Sequence, residues 1–145
     1  MGGSQRPEEE AYYAELQKAV TTLEISNRVE FLGQRSDIAD LMAAADIYCQ
    51  PNIAPEAGGM TWIEAMGAGL PVLTTDLGSA REIVDLECGL IVPVNDDRAI
   101  ASELQRLIGS PELRKRMGTA GRERCRMFSP EAQLPKLRSV LESIV

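Results

Sequence analysis

Apolar positions along the chain follow two spacings in turn, one helical and one strand-like. Pro7-Glu8-Glu9-Glu10 opens a helix, with proline in the first turn and acids facing the positive end of the dipole. Tyr13, Leu16, Val20 and Leu23 then recur at helical spacing. Val29-Glu30-Phe31-Leu32 is a short strand ended by Gly33. Ser36 or Asp37 caps a second helix whose apolar face is Ile38, Leu41, Met42 and Ala45. Asp46-Ile47-Tyr48-Cys49 is the next strand, stopped by Pro51. A loop over residues 52–59 leads into a helix over 60–68, with Gly69 as its C-cap. Pro71-Val72-Leu73-Thr74-Thr75 is a strand, 78–84 a turn with a short helix, and Gly89-Leu90-Ile91-Val92 the last strand.

Three helical stretches close the chain. The first carries a stripe of Ile100, Leu104, Leu107 and Ile108. Pro111 opens the second, which aligns Leu113, Met117 and Ala120. Ser129-Pro130 opens the third, an N-cap followed by proline at the first position, and aligns Leu134, Leu137, Leu141 and Ile144. All three stripes are expected in the core. Helices alternating with strands predict an α/β fold, an open, mostly parallel sheet flanked by helices. No repeat or linker divides residues 1–145, so the chain reads as one domain.

Composition narrows the chemistry. The chain has 145 residues, 44% of them hydrophobic, enough for one real core. Its net charge of −7 argues against nucleic-acid binding, which needs clustered Lys and Arg. A small anion is still allowed, because one pocket of backbone N–H groups can hold a phosphate whatever the total charge. No apolar run approaches the roughly 20 residues of a membrane span. The first residues have no apolar signal core, so the expected address is the cytoplasm. Cys49, Cys88 and Cys125 are widely spaced and read as reduced thiols rather than zinc ligands. There is no histidine, which removes Ser-His-Asp and Cys-His mechanisms.

The informative segment runs from Pro51 to Val72, between a strand and a helix, where ligands sit in open parallel sheets. Gly58-Gly59 brings bare backbone up to the start of a helix, a place suited to a phosphate; most such pairs are simply turns. Glu56 lies in the loop. Glu64 lies one turn into the helix beside Ile63, Met66 and Leu70, and a carboxylate packed there needs a partner such as a diol or a cation. On spacing alone the alternative stands equal: Glu64 faces solvent and Glu56 only favours the helix start.

The ordered series Asp46-Ile47-Tyr48-Cys49-Gln50-Pro51, Pro55-Glu56, Glu64-Ala65-Met66-Gly67-Ala68-Gly69-Leu70-Pro71-Val72, Gly78, Glu82-Ile83-Val84 and Gly89-Leu90-Ile91-Val92-Pro93 resembles the C-terminal domain of glycogen-synthase-like, retaining glycosyltransferases of the GT-B fold. The resemblance covers essentially the whole chain. It implies a Rossmann-like sheet and transfer of a sugar from a nucleotide sugar, such as a UDP- or GDP-sugar, to an acceptor hydroxyl. By that likeness Glu56 contacts the donor sugar as the catalytic carboxylate and Glu64 the ribose. Backbone at Gly58, Gly59 and Met60 contacts sugar and phosphate, and Gln34 and Arg35 lie near the base. No metal or further cofactor is implied.

The sequence departs from the family in two ways. The usual Gly-Phe-Gly turn is Ala57-Gly58-Gly59 here, and Trp62 stands where an aliphatic residue is usual. The family's first strand, its basic loop, its first helix and most of its second strand have no counterpart before Gly2-Gly3-Ser4, and neither does the acceptor domain. The chain is therefore expected to be a partial domain with unpaired strand edges, which re-pair internally or with a second copy. The alternative function is a non-catalytic module that binds a nucleotide or only self-associates. An epimerase would need catalytic acids or His not found here, and none of Lys18, Lys115 and Lys136 sits in the setting of a Schiff-base lysine. Peripheral attachment to the inner membrane is common among such enzymes, but no basic amphipathic helix argues for it here.

Overall fold

The computed structural model describes residues 10–55 and 58–144. They belong to two compact units, residues 1–38 and 39–145.

In the first unit, helix α1 spans Glu10–Thr22. Tyr13, Leu16 and Val20 form its half-buried side, and the Tyr13 ring meets Phe31 edge-on with centroids 5.1 Å apart. The start expected at Pro7 lies outside the described residues. Leu23 leaves the expected stripe: it is 67% exposed, just past the helix, where Glu24 turns the chain at φ 55°. The strand expected at 29–32 does not form. That stretch is irregular, with a single bridge residue at Gly33. These residues lie outside the three-stranded sheet of the described residues, and strand composition alone does not make a strand.

The second unit holds the sheet. Helix α2 (Ile38–Ala44) enters it, followed by β1 (Tyr48–Gln50), α3 (Met60–Ala68), β2 (Val72–Thr75), α4 (Ala80–Ile83), β3 (Gly89–Val92), α5 (Asp97–Gly109), α6 (Pro111–Cys125) and α7 (Pro130–Glu142). The three strands are all parallel in the order β1-β2-β3. β2 is central and every one of its residues is buried, the mark of a strand covered on both faces. Successive residues point to opposite sides. Val72 joins a cluster with Trp62, Met66, Ile83, Val84 and Cys88, and Leu73 joins one with Leu90, Leu107 and Met117. Burial pushes the Cys88 thiol up to about 11, so it stays protonated and inert.

Helix α6 ties the layers together. Gly118 and Gly121 let it lie directly against α3 and the Gly69 turn. Its arginines also satisfy carbonyls at other helix ends: Arg114 donates to Leu107 and Ile108, Arg122 to Ala68, and Arg124 to Glu82 and Ile83. Ser129 caps α7 as the sequence predicts, accepting from the N–H of Ala132, and Ser110 caps α6 just before the expected opening at Pro111, accepting from the N–H of Leu113. The stripe of α7 does not join the core. The helix buries no residue, and Leu134, Leu137, Leu141 and Ile144 are all more than half exposed. Ile108 is likewise an exposed member of the α5 stripe, whereas Leu107 is fully buried.

Candidate functional site

The carboxyl end of β1 leads into the segment that sequence reasoning selects. β1 ends at Gln50, and the loop after it returns to α3 through Gly58 and Gly59. Gly59 is the N-cap of α3 at φ 56°, in the left-handed region, and no side chain caps the helix there. A Cβ at Gly59 would lie 2.7 Å from the Trp62 ring and closer still to Ile83, so the residue is needed for packing as well as for the turn. Gly58 differs: among the described residues, a Cβ there would meet nothing nearer than Met60 Cγ at 4.0 Å.

The first helical donors, Trp62 and Ile63, both bond the Gly59 carbonyl. The N–H groups of Met60 and Thr61 precede them and have no acceptor within the helix, so they lie at the positive end of its dipole. Met60, Thr61, Glu64 and Gly67 make up the exposed stripe of α3, while Trp62, Ala65 and Met66 are buried. This corrects the expected packing of Glu64: it is exposed, on the face away from Met66 and Leu70. Four residues of helix place its carboxylate about 6 Å below Met60 along the same face. Glu56, the other carboxylate of the pair, lies outside the described residues.

Gln34 and Arg35 belong to the first unit. Both are exposed, and Arg35 forms a two-pronged pair with Asp37, its Nε 2.7 Å from Oδ1. That hydrogen bond holds Asp37 below the usual carboxylate range and raises Arg35. Beyond β2, Asp76 and Arg81 make a similar pair at 2.6 Å, which lowers Asp76. Neither arginine is an unpaired cation.

Sequence reasoning missed a polar network that joins the strand ends to α3. Tyr48 Oη and Thr61 Oγ1 both donate to Gln50 Oε1, at 2.7 and 2.9 Å, and Gln50 Nε2 donates to Asn52 Oδ1 at 3.2 Å. The buried hydroxyls of Thr74 and Thr75 donate to the carbonyls of Gln50 (2.9 Å) and Asn52 (2.6 Å). The available signal was a pair of threonines ending a wholly apolar strand opposite a glutamine before proline. Two buried donors, Asn52 Nδ2 and Trp62 Nε1, have no partner among the described residues. The described residues bring together no group of three metal-ligating side chains.

A family model described as glycosyl transferases group 1 matches residues 1–124. The phosphatidyl-myo-inositol mannosyltransferase of Mycobacterium leprae (strain TN) is 38% identical over 119 residues, covering 80% of this chain and 32% of that protein. Anabaena Alr3699/HepE in complex with UDP superposes with a TM-score of 0.92 at 28% identity, covering 98% of this chain and 40% of that one. The C-terminal domain of the group 1 family protein LpcC from Francisella tularensis gives 0.72 at 26% identity, over 82% of this chain and 63% of that one. The chain thus spans about a third of the length of the curated relative it matches.

Proposed function

The chain belongs to the glycosyl transferases group 1, and from that premise we propose that it is the part of a retaining glycosyltransferase that binds the nucleotide-sugar donor. One observation carries the reading. The amino end of α3 has no side-chain cap, follows the Gly58-Gly59 pair, and carries Glu64 on the same exposed stripe. A diphosphate set against the N–H groups of Met60 and Thr61 would gain charge-assisted hydrogen bonds and the favourable end of the dipole. Glu64, one turn further on, would accept from both hydroxyls of the attached ribose, and the family likeness assigns Glu56 the contact with the sugar.

In the reaction the sugar's anomeric carbon gives up its bond to the diphosphate oxygen and forms one to the acceptor hydroxyl, which loses its proton. Negative charge grows on the leaving phosphate. Donors fixed before the reaction stabilise that charge without reorganising, which is where α3 would act. The acceptor site would lie in the longer protein, given that this chain spans about a third of its curated relative.

The test is ligand-observed NMR of the 145-residue chain with UDP, GDP and ADP. Saturable binding of one of them, competed by its own nucleotide sugar, is the expected result and names the base. Binding of none would overturn the reading for this chain.

A further inference from the structure

We propose that Gln50 is a positioning residue for the donor phosphates, acting through Thr61 at the start of α3; this rests on the donor-site reading above. The uncapped end of α3 creates the need for such a residue. Gly59 supplies no side-chain bond to the first turn, and its left-handed backbone follows a second glycine. The helix's own bonds to the Gly59 carbonyl orient the N–H groups of Met60 and Thr61 within α3, but they do not tie that first turn to the sheet. The Thr61 hydroxyl supplies the missing tie by donating 2.9 Å to Gln50 Oε1, eleven residues away at the end of β1.

Gln50 is itself held from four sides. Tyr48 Oη shares its Oε1 at 2.7 Å, its Nε2 reaches Asn52 Oδ1 at 3.2 Å, Thr74 bonds its carbonyl at 2.9 Å, and its backbone lies in the ladder against Thr74. The amide group is thus a rigid peg on the central sheet. Through Thr61 it sets the first turn of α3 in register with that sheet. Stabilising a developing phosphate charge depends on placing donors to a fraction of an ångström, so a tie of this kind acts on phosphate binding and on turnover without touching the ligand. The ribose contact at Glu64 lies a turn further along α3, within the part of the helix held by its own backbone bonds, and should feel the tie much less.

The experiment compares the unmodified chain with Gln50→Met, Thr61→Val, the double variant and Thr61→Ser. Each is titrated with UDP and GDP, and with uridine and guanosine at higher concentration. For the diphosphate that binds, Gln50→Met and Thr61→Val should each weaken affinity about five- to tenfold. The double variant should be no weaker than either single one, because both remove the same tie. Thr61→Ser keeps the hydroxyl and should bind as the unmodified chain does, and nucleoside affinity should stay within about twofold throughout. Diphosphate binding that survives Gln50→Met, losses that multiply in the double variant, or an equal loss for the nucleoside would overturn the role of Gln50 and leave the donor site standing. Failure of the unmodified chain to bind either diphosphate would instead overturn the site itself, and the inference with it.

Discussion

The two ends of α3 are built on opposite plans. At the carboxyl end the carbonyls of Ala65, Met66 and Ala68 are all bonded. Gly69 and Leu70 donate back to Met66 and Ala65 in a left-handed closing turn, and Arg122 reaches in from α6 to bond Ala68 at 2.8 Å. Gly118 presses against the same turn so closely that a Cβ would lie on the Gly69 carbonyl. At the amino end the N-cap is a glycine with no side-chain bond to the first turn, and the exposed stripe carries a carboxylate. Among the described residues the helix is tied down at one end, while at the other its first-turn N–H groups lie beyond the helix's own hydrogen bonds.

Substitutions can break or sharpen that contrast. The largest effect belongs to Gly118→Ala. It should improve helix propensity by about 1 kcal/mol, yet the new methyl meets backbone 2.9 Å away at Gly69 C and must force α3 and α6 apart. A net loss of about 3 kcal/mol is expected from urea unfolding, and a stabilised variant would show that the carboxyl end is not rigidly packed. Gly59→Ala comes next. A methyl at φ 56° that also meets the Trp62 ring should cost about 2 kcal/mol in the same measurement. Arg122→Ala removes a charged donor from the Ala68 carbonyl and should cost about 1 kcal/mol, seen as a small shift in the urea midpoint. Gly58→Ala should change stability by less than about 0.5 kcal/mol, but it adds a methyl beside the amino end of α3 and should weaken diphosphate binding. If it instead destabilises the fold and leaves binding intact, Gly58 serves the turn alone.

How much of this could be read beforehand depends on where the information lies. Helix ends carry their own chemistry locally, so Gly69, Pro111 and Ser129-Pro130 mark boundaries of α3, α6 and α7 correctly. The parallel sheet and its order in the chain follow from the apolar runs. Facing is harder. Glu64 reads as packed because Ile63 and Met66 are neighbours in number, whereas its neighbours on the helix surface are Met60, Thr61 and Gly67, which are exposed. The apolar stripe of α7 has regular spacing and still faces outward, since periodicity shows that a face is apolar and not what covers it. The stretch at 29–32 has strand composition and still lies outside the β1-β2-β3 sheet, because composition does not set which segments pair. The Gln50 network joins residues up to 24 positions apart, a distance at which no local pattern speaks.

The central claim, that the open end of α3 holds a nucleotide sugar by its diphosphate and ribose, rests most directly on Glu64. The measurement is the affinity of the chain for its preferred nucleoside diphosphate with and without Glu64→Ala, repeated with the 2′-deoxy form. Loss of the charged acceptor should weaken the ribonucleotide about ten- to hundredfold, while the 2′-deoxynucleotide, already short of one hydroxyl, should lose markedly less. Equal affinities for the unmodified chain and the variant, or the same loss for both nucleotides, would contradict the account.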